Sequence, residues 1–144
     1  MSYVMTDHLL HLRTYSDPER AGEGFDVAVC KILAHGGSGQ SLWFGPEGGE
    51  GELRVDIDIE VGRAALNWLA DDTIGIELEP GPPITVMWSI DAPFVTVPGE
   101  LARVSTATAR RAVLEYVATG KRPTCVEWAP EPDLDEVLQL PAPA

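Results

Sequence analysis

The sequence predicts an α+β fold, one antiparallel sheet (a meander) of about five to seven strands packed by two helices. Three observations carry that prediction. Between residues 41 and 90, short apolar runs are joined by tight turns, and parallel neighbours would need crossovers of about a dozen residues or more. On either side, near residues 17–35 and 105–120, the spacing of apolar residues becomes helical. The chain of 144 residues, 44% hydrophobic and 23% charged, suits a single domain over 1–144 with an ordinary core.

Residues 2–15 accommodate one or two short strands. Asp17 is a suitable N-cap for the first helix, Pro18 suits its first position, and Glu19 complements its positive end. Ala21, Phe25, Ala28, Val29, Ile32 and Leu33 form the expected buried stripe. Gly22 and Gly24 weaken the first turns and move the expected stable start toward Glu23; His35-Gly36-Gly37 is the stop.

Strands follow at 41–45 and 52–60. In the second, Leu53, Val55, Ile57 and Ile59 face one way, and Glu52, Arg54, Asp56, Asp58 and Glu60 the other, because successive strand residues alternate sides. Further strands at 64–70, 73–79 and 84–90 are joined through Val61-Gly62-Arg63, Asp71-Asp72 and Pro80-Gly81-Pro82-Pro83. Residues 91–103 are a connector with a short extended piece at 94–97. Ser105 or Thr106 caps the second helix, Ala109, Ala112, Val113, Tyr116 and Val117 form its stripe, and Gly120 ends it. A last strand is expected at 124–128. Residues 130–144, with four prolines and four carboxylates, are expected to be a loosely held tail.

Charge narrows the function classes. Lys and Arg total 10 against 23 Asp and Glu, a formal net charge of −13 at pH 7. Such a field repels phosphate backbones and anionic membranes and favours a basic protein partner. Direct nucleic-acid binding needs a basic stripe, which the sequence lacks. No stretch approaches the roughly 20 apolar residues that cross a bilayer. Residues 1–13 contain Asp7, His8 and His11 and no apolar run, so a cytoplasmic protein without a signal peptide is expected. Cys30 and Cys125 lie far apart, in patterns read as helix and strand interiors, and are expected to be free buried thiols. No metal-ligand spacing occurs, and no cofactor is expected.

His8, His11 and His35 are scattered without a nucleophile or metal partner and read as exposed surface residues. Gly37-Ser38-Gly39-Gln40 departs from a nucleophile elbow, since Gln40 stands where glycine is required and a helix precedes the serine. No Gly-Lys-Ser/Thr follows that would make it a phosphate loop. Asp56, Asp58 and Glu60 recur about 6.5–7 Å apart on one strand face. That spacing fits a plain solvated face, a face for a basic partner, or an acid–base or divalent-ion site. Glu47 and Glu50 just before it, and Glu77 and Glu79 on a later strand, extend the same patch. Trp43, Trp68, Trp88 and Trp128 read as core, but one left exposed beside the carboxylates would be an interface hot spot.

Residues 104–128, VSTATARRAVLEYVATGKRPTCVEW, resemble the first-numbered family of immunity proteins of bacterial polymorphic toxin systems, often linked with deaminase toxins. The resemblance rests on Ala109, Arg110, Ala112, Tyr116, Thr119, Gly120, Arg122, Pro123 and Trp128, and upstream on LRVDIDIEVGRAALNWL at 53–69. Ser105 stands where such members show proline. Gly120, Arg122 and Pro123 read as a fold signature rather than an active site. The resemblance implies a cytosolic, non-enzymatic protein that neutralises a cognate toxin domain, one that attacks nucleic acid through a basic cleft. The leading contacts expected are Glu52, Asp56, Asp58 and Glu60, flanked by Glu47, Glu50, Glu77 and Glu79. Two alternatives remain at this point: a carboxylate- or divalent-ion-dependent enzyme, and a regulatory protein-binding module unrelated to toxins.

Overall fold

The computed structural model describes residues 2–89 and 94–132. In chain order the elements are β1 (Tyr3–Thr6), β2 (Leu12–Tyr15), α1 (Pro18–Lys31), β3 (Gly39–Pro46), β4 (Leu53–Asp58), β5 (Arg63–Trp68), β6 (Thr73–Ile76), β7 (Ile84–Val86), β8 (Val95–Val97), β9 (Val104–Ser105), α2 (Thr106–Thr119) and β10 (Glu127–Pro130). Among the described residues the main sheet has eight strands, ordered β10-β6-β5-β4-β3-β1-β2, with β9 also pairing β5. All its pairings are antiparallel, and β3 to β6 form the expected meander. The α+β prediction holds, with one strand more than its upper figure.

The two helices lie on one face of this sheet. Asp17 caps α1, its Oδ1 accepting from the Glu19 amide at 2.9 Å. The helix therefore starts at Pro18, not near Glu23. Its glycines are points of close approach: a side chain on Gly22 would collide with Leu114 and Arg110 of α2, and one on Gly24 with the Tyr15 hydroxyl. A short 3-10 turn, Ile32–His35, ends at Gly36, whose φ of 83° is the left-handed conformation glycine adopts at little cost. Of the expected stripe, Ala21, Phe25 and Ile32 are buried, whereas Leu33 is exposed. Ser105 caps α2, its Oγ accepting from the Thr108 amide at 3.1 Å, and Gly120 closes it at φ 69°.

Between helices and sheet lies the larger core, including Phe25, Leu42, Phe44, Leu53, Val55, Leu66, Val113 and Tyr116. Tyr116 makes edge contacts with Tyr3 at 5.1 Å and Trp68 at 5.9 Å, geometry that adds about 0.5–1.5 kcal/mol per pair beyond area burial. A second, smaller core forms on the outer face, where Ala65 and Ile74 meet Ile84, Val86, Val97, Leu101 and Ala102. Its cover is a two-stranded ribbon of β7 and β8, bridged to β3 through Met87.

That ribbon corrects the reading of 84–90 as another meander strand; part of that stretch, Ile90, lies outside the described residues. Other corrections follow from packing. The last strand is Glu127–Pro130, so the start of the expected tail belongs to the sheet, with Glu131 N donating to Asp72 O at 3.0 Å. The tail from residue 133 on lies outside the described residues. Cys30 is exposed and Cys125 half-buried, both as free thiols. His8 is buried, its Nδ1 at 3.2 Å from Gln40 Oε1, while His11 is exposed as expected.

Candidate functional site

Alternation along β4 does place Arg54, Asp56 and Asp58 on the face away from the helices. What it does not reveal is the ribbon above them. Asp56 and Asp58 are each only 2% exposed, which corrects their assignment as solvent-facing contacts. Asp56 accepts from the Ser41 hydroxyl and pairs with Arg54 Nε at 3.4 Å. Burial raises its pKa more than Arg54 and Ser41 lower it. Asp58 is a staple. Its Oδ1 takes the Ser38 hydroxyl at 2.8 Å and the Glu60 and Val61 amides at 3.1 and 3.3 Å, and its Oδ2 takes the Thr85 amide of β7 at 3.1 Å. The carboxylates that led the sequence reading hold the ribbon and the β4–β5 turn in place.

The remaining acids separate into two groups. Glu47 and Glu50, on the β3–β4 loop, are exposed, as are Asp71 and Asp72 on the β5–β6 loop at the same end of the sheet. Glu60, Glu77 and Glu79 lie beyond the other end. The six residues of β4, at about 3.3 Å each, put roughly 20 Å between the two groups. The single continuous patch expected from the sequence is therefore divided, and Glu77 and Glu79 fall past the end of β6 rather than on a strand.

Glu77 is already engaged at the start of α2, accepting from the Ser105 amide at 2.8 Å and from the Thr108 hydroxyl. Burial acts to raise its pKa, but these hydrogen bonds, with Arg111 nearby, outweigh it and hold the carboxyl below the usual range. Glu52 is half-buried and accepts the Tyr116 hydroxyl at 2.6 Å, which removes it from the outer face. Glu60 and Glu79 are exposed.

Beside Asp56 lies a surface that meets the exception made for the tryptophans, expected to be core unless one were left exposed beside the carboxylates. Trp88 is 43% exposed, its ring 6.4 Å from that of Trp43 and 5.8 Å from the Arg54 guanidinium. Arg54 is in turn held by Asp56, so two aromatic rings and a cation form a braced platform. Asn67, directly across from Arg54, has a buried Oδ1 with no hydrogen-bond partner among the described residues. The clue was the tryptophans themselves; what was invisible is that the chain folds back to set Trp88 against Trp43 of β3 and Arg54 of β4.

No three His, Cys, Asp or Glu side chains among the described residues converge where they could hold a metal ion. A cavity of about 710 Å³ lies between the β1–β2 hairpin and α1, with Asp7, His8, His11, Arg13 and Lys31 around it. No helix among the described residues is long and apolar enough to cross a membrane.

Residues 16–130 match the family model of immunity protein Imm1. The chain belongs to the Imm1 immunity-protein family. Comparison with curated proteins and with solved structures found no match. Membership makes this Imm1 chain a toxin-neutralising immunity protein. The residues that carried the resemblance prove to be fold-forming in this Imm1 protein. Arg122 lies over the Trp128 ring at 5.4 Å and pairs with Asp71 at 3.3 Å, and Trp128 Nε1 donates to Pro123 O at 2.7 Å. Thr124 donates its amide to Glu115 of α2 at 2.6 Å, locking the turn after Gly120.

Proposed function

We propose that this Imm1 protein acts in the cytoplasm as a stoichiometric, non-catalytic inhibitor within a polymorphic toxin system, binding a toxin domain that acts on nucleic acid, of the deaminase type. The supporting observation is the acidic end of the sheet, where Glu47, Glu50, Asp71 and Asp72 stand exposed on adjacent loops of a chain with net charge −13. A cleft that binds phosphate backbones is basic, and a carboxylate-rich end is complementary to it. Such complementarity mainly speeds encounter and fixes the choice of partner. Glu60 and Glu79 belong to the opposite end and are secondary contacts at most in this reading; Glu52, Asp56, Asp58 and Glu77 serve the fold.

The test uses the cognate toxin domain. Glu47→Lys with Glu50→Lys is expected to slow association about tenfold at low ionic strength and to flatten its salt dependence. An unchanged association rate and salt slope would remove these loops from the interface.

A further inference from the structure

The outer face of the main sheet is covered on one side only. The β7–β8 ribbon packs over Ala65 and Ile74 of β5 and β6, and the row of directly paired residues running the other way is Asn67, Arg54, Trp43, Thr6 and Leu12. Exposure rises along that row, from 5% at Asn67 to 68% at Leu12. Beyond the ribbon's edge a groove of about 290 Å³ opens over β1, β2 and β3, floored by Val4, Thr6 and Gly45, with Leu12 and Trp43 on its sides and Pro46 at its end.

Resting on the toxin-binding reading, we infer that this half-covered face is where the toxin domain docks, with the Trp43–Trp88–Arg54 platform as its anchor. The groove takes an apolar side chain of the partner, and the platform and loop beside it take a flanking Lys or Arg. Three features argue for that occupant. The floor and sides are apolar or small, so burying them against a matching side chain releases water at little desolvation cost. Glu47 and Glu50, on the loop that closes the groove, are exposed acids at its rim, and a basic partner complements them. Trp88 is 43% exposed, an aromatic surface suited to a partner cation, and Arg54 beside it has its own ion-pair partner in Asp56 at 3.4 Å. Tryptophan and arginine fixed by packing are the residue types that dominate interface energetics, because little conformational freedom is lost when they are covered.

The experiment measures the affinity of the cognate toxin domain for wild type, Trp88→Ala, Leu12→Arg and the control Leu33→Arg. Leu33 is 57% exposed and lies in the 3-10 turn after α1, outside the groove. Weakening of at least tenfold in Trp88→Ala and Leu12→Arg, with Leu33→Arg unchanged, is the expected result. Leu12 is so exposed that its replacement leaves the fold intact, so the proposal remains testable if Trp88→Ala unfolds. Wild-type binding with Leu12→Arg binding equally well overturns this docking face and leaves the toxin reading standing. Failure of the wild type to bind that domain overturns the toxin reading and this assignment together. A dimer of the free chain that Leu12→Arg dissociates assigns the groove to a second copy and overturns it as well.

Discussion

At the scale of single residues, Asp56 shows how one carboxylate changes meaning with its surroundings. Burial is the largest influence on it and raises its pKa; Arg54 and Ser41 lower it without cancelling that rise. A carboxyl with a higher pKa in the folded chain than in the unfolded one favours folding fully below about pH 3.9, and that contribution is lost as pH rises through the folded value. Asp56→Asn carries no charge at any pH and retains an acceptor for Ser41. Relative to wild type, its urea midpoint is expected to improve progressively as pH rises from 4 to 7. Asp56→Ala removes the acceptor of a buried hydroxyl and the partner of Arg54, and is expected to cost about 2 kcal/mol at pH 7 by the same measurement. Nothing in the run from Glu52 to Glu60 distinguished Asp56 from an ordinary solvated acid, because its hydroxyl partner, Ser41, lies 15 positions earlier and the ribbon on that face begins only at Ile84. Glu60, with the same chemistry on the same strand pattern, lies just past the ribbon's cover and stays wet.

At the scale of elements, α2 was legible almost to the residue because its ends are written locally: Ser105 as cap, Gly120 as stop. The start of α1 was misread because Gly22 and Gly24 look like helix weaknesses until Leu114 and the Tyr15 hydroxyl are seen to occupy the space a side chain would need. The start of α2 also has a second cap, from outside the helix. Ser105→Ala removes the local acceptor and is expected to cost about 1 kcal/mol, read by chemical denaturation. Because Glu77 serves the same helix end, the effects of Ser105→Ala and Glu77→Gln are expected to be non-additive in a double-mutant cycle. The pH dependence from Glu77 runs opposite to that of Asp56. With its pKa held down by Thr108 and Ser105, Glu77 contributes stability above its unfolded value, near pH 4.3, which fades as pH falls through the folded one.

At the scale of the whole molecule, the charge excess acts on the protein itself as well as on partners. A net charge of −13 on a chain this size is self-repelling, and ion pairs such as Arg110 with Asp26 and Arg122 with Asp71 offset little of it. Raising NaCl from about 10 to 300 mM shortens the screening length severalfold and is expected to raise the thermal midpoint; a flat or falling midpoint would show that repulsion does not limit stability. Composition disclosed this charge in full, and the meander could be read from alternation and turns. The division of the acids between two ends could not, since it depends on which loops share an end of the sheet. The ribbon escaped notice for a related reason: β7 and β8 are three residues each, too short to signal that they pair with one another rather than with the sheet.

The unevenly roofed sheet has a consequence for how such a molecule diverges. Val4, Thr6, Leu12 and Thr14 point outward from β1 and β2 and belong to neither core. Exchanging the exposed ones, Leu12 and Thr14, moves stability by only about half a kcal/mol. These two strands are therefore a writable margin as far as folding is concerned: their outward letters can be exchanged to suit another partner, while the interior that keeps the molecule folded stays as it is.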